Sequence, residues 1–204
     1  MEKTMNKDTY DKLIALRLPG MANNYKAQED IKDINEYLFE QRISLMVDAG
    51  CDSQHNHRIE RLVKNAHFTD SQASISQIMY ISDRHLNRDL IESLASNDYI
   101  KKHENILIIG ATGSGKSCIS NAYGVEACNN GYRVKYVRLP DLLAEFELSR
   151  IQGTYRKLIK QYERCDLLII DEWLFNIEQQ DILEVLEKPI PNRIVSSILS
   201  GTSI

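Results

Sequence analysis

Gly110, Ala111, Thr112, Gly113, Ser114, Gly115, Lys116 and Ser117 match the pattern Gly-x-x-x-x-Gly-Lys-[Ser/Thr] in full. The chemistry of that pattern is the gripping of a phosphate chain. Its three glycines let the backbone curl until successive N–H groups point inward at phosphate oxygens, and the following helix N-terminus adds partial positive charge. Lys116 then places an ammonium on the β- and γ-phosphates, and the Ser117 hydroxyl ligates Mg²⁺. Fifty-five residues after Lys116, the aliphatic run Leu167 to Ile170 ends in Asp171 and Glu172. A strand ending in two acids can turn Asp171 toward the metal's water shell and leave Glu172 to orient and polarise an attacking water. Taken singly, these features reduce to a glycine turn with a surface lysine and a strand capped by solvated acids; occurring together, they point to triphosphate hydrolysis. A small-molecule kinase must exclude water and has no use for such a glutamate, so the pair speaks against that class.

These residues need strands and helices to hold them. Asn105 to Ile109 is a short β-branched run ending at glycine, and Lys116 to about Asn130 has a helical pattern, so the loop is expected between a strand and a helix. Tyr132 to Val137 alternates like a second strand. Asp141 to Arg150 reads as a helix opening on an aspartate cap, Thr154 to Arg164 as another helix, and Cys165 to Ile170 as a third strand. Gln179 to Glu187 is again helical, Pro189 and Pro191 stop it, and Arg193 to Leu199 suits one more strand. Strands alternating with helices predict an α/β fold with a parallel sheet covered on both faces. Before residue 100 the pattern is helical throughout, apart from a break at Pro19-Gly20. Apolar residues recur at three-and-four spacing at Tyr37 to Met46, Ile59 to Ala66 and Leu86 to Leu94. The expected organisation is a helical N-terminal module over 1–100 and a phosphate-binding core over 101–204.

With 204 residues, 43% hydrophobic and 26% charged, the chain has ordinary globular composition and no room for two large catalytic domains. Cys51, Cys118, Cys128 and Cys165 show no zinc-site spacing, which suggests reduced thiols. His55 and His57 lack a cysteine or carboxylate at ligand spacing and read as exposed residues. No apolar stretch follows the N-terminal lysines and no run approaches the length of a membrane helix, so a cytoplasmic chain without membrane partners is expected. Net charge is −4, so any DNA contact has to come from local clustering. From Gly131 to Cys165 there are eight bases against four acids, and from Asp166 to Lys188 seven acids against one base. Arg150, Arg156, Lys157 and Lys160 flank a Gly153-Thr154-Tyr155 break and suit phosphate contacts that read no bases; a solvated helix face is the plainer account.

The chain resembles the IstB family, the ATPase helpers of insertion-sequence transposition, related to DnaC-like helicase loaders within the AAA+ class. The resemblance rests on Leu16-Arg-Leu-Pro-Gly-Met21, Leu94-Ala-Ser-Asn-Asp-Tyr-Ile100, the phosphate loop, Gly131-Tyr-Arg-Val-Lys-Tyr-Val-Arg-Leu-Pro140 and Asp166-Leu-Leu-Ile-Ile-Asp-Glu-Trp173. It implies a P-loop NTPase of AAA+ type with ATP and Mg²⁺ as cofactors. It also implies DNA and the transposase of the same element as partners, homo-oligomeric assembly, and self-association or DNA contact through the N-terminal module. A helicase loader in replication and a non-catalytic remnant that binds nucleotide or DNA are the alternatives. The match decays after Glu187, which implies a sheet incomplete at the C-terminus and an absent lid. In the AAA+ class a strand carrying a polar sensor lies between the loop strand and the acid strand. Arg193 to Leu199 can fill that place, with Ser197 or Ser200 as the sensor; in a second alignment Arg193 matches a trans-acting arginine and the intervening strand is missing.

Overall fold

The sequence's alternation of periods becomes an alternation of elements in the computed structural model, which describes residues 6–31, 34, 36–80, 86–173 and 193–198. The chain divides into two compact units, Met1–Glu60 and Arg61–Ile204.

In the first unit, α1 (Lys7–Ala15) is capped by the Asn6 side chain, which accepts from the Asp8 amide, and Arg17 in the left-handed region closes its far end. The expected break at Pro19-Gly20 is the start of α2 (Pro19–Ala27), where proline's missing N–H costs nothing in the first turn. A Cβ on Gly20 would lie 2.3 Å from the Ala49 carbonyl oxygen, and one on Gly50 2.7 Å from Met21 Cγ. Pro-Gly-Met therefore starts a helix, lets it approach α3 (Phe39–Ala66) closely, and seats Met21 over Gly50. Gln28 locks the crossing, donating to the Arg42 carbonyl and accepting from Arg42 Nε. The helical stretches expected at Tyr37 to Met46 and Ile59 to Ala66 fall in this one helix, except that Tyr37 and Leu38 precede its start. His55 and His57 lie at exposed positions on it.

The second unit takes in the last turns of α3, a 3₁₀ turn at Ile75–Gln77, α4 (Arg88–Leu94), α5 (Asp98–Lys101), β1 (Ile106–Gly110), α6 (Lys116–Asn129), β2 (Val134–Arg138), α7 (Leu139–Ile151), α8 (Tyr155–Glu163), β3 (Leu167–Trp173) and β4 (Arg193–Ile198). The four strands form a parallel sheet in the order β1-β4-β3-β2. Along β3 the side chains alternate: Leu167 and Ile169 enter a core with α6 and the helices before β1, while Leu168 and Ile170 enter a second core with α7 and α8. All four are fully buried, as a strand covered on both faces requires. Helix α7 starts earlier than its aspartate suggested. Arg138 is the cap and Pro140 occupies the first turn, so Asp141 lies inside the helix, where its charge still favours the N-terminus.

The place between β1 and β3 is filled by β4, pairing Leu107 with Val195 on one side and Ile170 with Val195 on the other. Arg193 opens β4 opposite Leu168, at the end of the sheet away from Gly110, so the arrangement without an intervening strand does not occur. Ser197 is level with Ile109 on β1 and Trp173 on β3. The expected helix at Gln179 to Glu187 and Ser200 lie outside the described residues.

Candidate nucleotide-binding site

β1 delivers the chain to Gly110 at its C-terminal end, where an added Cβ would meet Ser114 Oγ at 2.9 Å. Gly113 (φ 77°) and Gly115 (φ 88°) are left-handed. Nothing lies within 4 Å of a Cβ placed on Gly113, so glycine is required there by conformation and not by space. The Ser114 amide returns to the Ala111 carbonyl, and α6 starts from Gly115 with no side-chain cap. The first-turn amides thus face the concave loop without a side chain competing for them. Lys116 is buried (8% exposed) and its Nζ donates to the Ala111 carbonyl at 2.7 Å, which holds the ammonium on the loop. Ala111, Thr112, Gly113, Ser114 and Ser117 are exposed.

The acid pair lies on a β-bulge. Ile170 pairs with Val195 and Trp173 with Ser197, so Asp171 and Glu172 together oppose one residue of β4. Glu172 carries the distortion at φ 56°. Asp171 continues the Leu167 and Ile169 row onto the α6 face and is 6% exposed. Its Oδ2 accepts from Tyr136 Oη at 2.5 Å, and its Oδ1 accepts from the Glu172 amide at 2.8 Å. Burial, and then the bond to Asp171, push the Tyr136 phenol well above its ordinary pKa, so it stays a donor at neutral pH. Glu172 Oε2 accepts from Arg138 Nη2, at the end of the neighbouring strand.

Because β1 and β3 are parallel and both end on the same edge of the sheet, the loop and the acid pair share one end of the molecule, with β4 between them. The donor set suits magnesium and a triphosphate: a hydroxyl on the first turn of α6, a buried carboxylate fixed by two donors, and an ammonium at the loop. A cavity of about 430 Å³ lies elsewhere, at Leu62, Lys135, Tyr162 and Cys165, and includes no loop or acid-pair residue.

Tyr136 and Arg138 escaped the sequence reading as site residues. Both stand in the Tyr-Val-Arg-Leu-Pro stretch and alternate along β2, so the available signal was their nearness to a strand end beside the acid strand. Two of the eight bases between Gly131 and Cys165 are paired with acids of the Asp166 to Lys188 stretch: Arg133 with Asp166 at 2.7 Å and Arg138 with Glu172. Arg150, Arg156, Lys157 and Lys160 are exposed on α7 and α8, with Arg150 5.1 Å over the Tyr155 ring.

A family model for IstB-like ATP binding proteins matches residues 11–200. The chain belongs to the IstB-like ATP-binding family. A Pseudomonas fluorescens relative named as the ATP-binding protein of insertion sequence IS1162 is 32% identical over 201 residues, covering 97% of this chain and 86% of the relative. A Sinorhizobium fredii relative, also named for ATP binding in an insertion sequence, is 30% identical, covering 88% of this chain and 74% of its own length. Among solved structures, replication initiator DnaA bound to AMPPCP and single-stranded DNA superposes with a TM-score of 0.56 at 21% identity, over 65% of this chain and 43% of that one. The DnaC helicase loader superposes with a TM-score of 0.53 at 16% identity, over 64% of this chain and 80% of that one. These likenesses place the IstB-like chain in the AAA+ P-loop fold. Among its described residues no helix is long and apolar enough to cross a membrane.

Proposed function

We propose that this IstB-like chain binds ATP with Mg²⁺ at the 110–117 loop, hydrolyses it with Glu172, and serves insertion-sequence transposition as a DNA-associated helper. The observation that carries this reading is that Lys116, Ser117 and the Asp171-Glu172 bulge lie at the same end of one parallel sheet. The loop amides hold the phosphates, Lys116 exchanges the Ala111 carbonyl for phosphate oxygens, and Ser117 with Asp171 would hold the metal. When bound, magnesium neutralises charge on the phosphate oxygens. Glu172 orients and polarises the water once it leaves Arg138, and Ser197, on the strand between loop and acids, is the candidate sensor of the γ-phosphate.

Arg150, Arg156, Lys157 and Lys160 supply DNA phosphate contacts, the 1–100 helices supply self-association or DNA contact, and the transposase of the same element is the protein partner. The family membership and the names of its insertion-sequence relatives support this part. Phosphate release measured with and without duplex DNA tests the cycle, with DNA-stimulated turnover expected. Silence in both conditions is the behaviour of a nucleotide-binding remnant and overturns the hydrolytic reading. Co-purification with a transposase rather than a replicative helicase tests the partner.

A further inference from the structure

At the end of the sheet away from the phosphate loop, where β2 begins and the chain enters β3, the second unit holds the cavity of about 430 Å³. That volume falls within the range of small-ligand sites, roughly 300 to 1,000 Å³. Its inner walls are apolar: Leu62 from the last turns of α3, Val134 at the start of β2, and the ring of Tyr162, which is 2% exposed. Around these walls stand three bases, Arg133, Lys135 and Arg164, against one acid, Glu145. Two of the four are already engaged. Arg133 donates to Asp166 from Nε at 3.0 Å and from Nη2 at 2.7 Å, and Glu145 accepts from the Tyr162 hydroxyl at 2.7 Å. Lys135 and Arg164 make no ion pair among the described residues. Lys135 is half-buried on the edge strand β2, and an ammonium drawn out of water without an acid beside it is held at a cost that a bound anion would offset.

We propose that this cavity binds a small organic anion, with an aromatic or aliphatic body against Leu62, Val134 and Tyr162 and a carboxylate, sulfonate or phosphate head on Lys135 and Arg164. Burial holds the body, and charge-assisted bonds hold the head. A bare inorganic anion would leave the apolar walls uncovered, and a neutral hydrocarbon would leave the ammonium unpaired, so the occupant needs both parts. No residue of the 110–117 loop or the acid pair takes part, and the site stands independently of the nucleotide reading. Cys165 lines the same cavity with a partly accessible thiol, so an occupant shields it from reagents.

The test uses the full chain and 8-anilinonaphthalene-1-sulfonate, an aromatic body with one sulfonate. Labelling of Cys165 by N-ethylmaleimide is timed by peptide mass spectrometry across a titration of this probe, with Cys51, exposed and outside the cavity, as internal standard. Saturating probe is expected to slow Cys165 labelling at least about fivefold while Cys51 changes by less than about twofold. Lys135→Met should raise the half-protecting concentration about 5- to 20-fold, and Arg164→Met, at the exposed cap of α8, about 2- to 5-fold. N-phenyl-1-naphthylamine, which lacks the sulfonate, should need a higher concentration by about the same factor as the Lys135→Met chain, and sodium sulfate alone should protect nothing. Cys165 labelling that is not slowed at about 1 mM probe overturns the site. Equal protection by the neutral analogue, or half-protection at an unchanged concentration in both variants, overturns the anion assignment. Equal protection by sulfate alone overturns the apolar body. Protection gained merely by raising the protein concentration without probe would assign the cavity to a second copy of the chain and overturn the proposal as well. Far-UV circular dichroism verifies the fold of each variant; should Lys135→Met fail it, Arg164→Met and the neutral analogue still decide.

Discussion

Arg138, the last residue of β2, donates its Nη2 proton to Oε2 of Glu172 across the junction with β3. The two are 34 positions apart in sequence, and the pair faces solvent, with side chains 48% and 35% exposed. Exposed ion pairs are weak, so the contact costs little to break. Arg138→Ala should raise basal phosphate release about two- to fivefold, while Glu172→Gln should remove it and leave ATP binding intact. Unchanged turnover in Glu172→Gln would reassign the base.

Lys116→Ala should weaken ATP binding about a hundredfold or more, because each charge-assisted contact to phosphate contributes about 1.5 to 3 kcal/mol. Equilibrium titration with a fluorescent ATP analogue checks this, with far-UV circular dichroism verifying that the fold survives. Binding within a few-fold of the unmodified chain would take the loop out of the site.

Charge reversal at Lys157 and Lys160 should weaken binding to DNA of any sequence and reduce the slope of log affinity against log salt by about 2. A salt series with two unrelated duplexes reads both effects. Loss confined to one sequence would contradict the phosphate-contact assignment.

Gly124 lets α6 lie against β3: an added Cβ would sit 2.4 Å from Phe68 and 2.6 Å from Ile169. Gly124→Ala should cost about 1 to 3 kcal/mol by overpacking and lower Tm by several degrees. Differential scanning calorimetry decides it.

Asp166 gives the second unit an acid limit. Burial alone would raise its pKa, but bonds from the Arg133 side chain and amide, with the guanidinium charge, outweigh burial and hold it below the ordinary value. A depressed folded-state pKa stabilises the chain above the unfolded value near 4, and that contribution disappears as pH falls through the folded value. Asp166→Asn should therefore be less stable at pH 7, with the difference closing below about pH 4 in denaturant titrations. A gap independent of pH would show that the charge is immaterial.

The phosphate loop was readable because its signal is local. Glycines at Gly113 and Gly115 answer a left-handed backbone that other residues adopt at a cost, and the loop sits where one period gives way to another. The aliphatic run before Asp171 was readable for the same kind of reason, since a strand buried on both faces is apolar at every position. The bulge was not, because two residues opposing one on a neighbouring strand is a property of the pair and leaves no mark in either strand alone. Nor was the single helix Phe39–Ala66, whose middle is too polar to join its two apolar stretches by pattern.

By itself the amino-acid order determined the period of each element, the glycine-hinged loop, and the acids that close β3, since all of these follow from backbone sterics and side-chain alternation within a few residues. Only the tertiary structure decided that β4 enters between β1 and β3, that Arg138 rests on Glu172, and that Asn121 of α6 bonds Thr69 from fifty-two positions earlier in the chain. Those outcomes depend on which surfaces meet after the chain has closed loops of tens of residues, and each is set by packing and burial at a place no local pattern specifies.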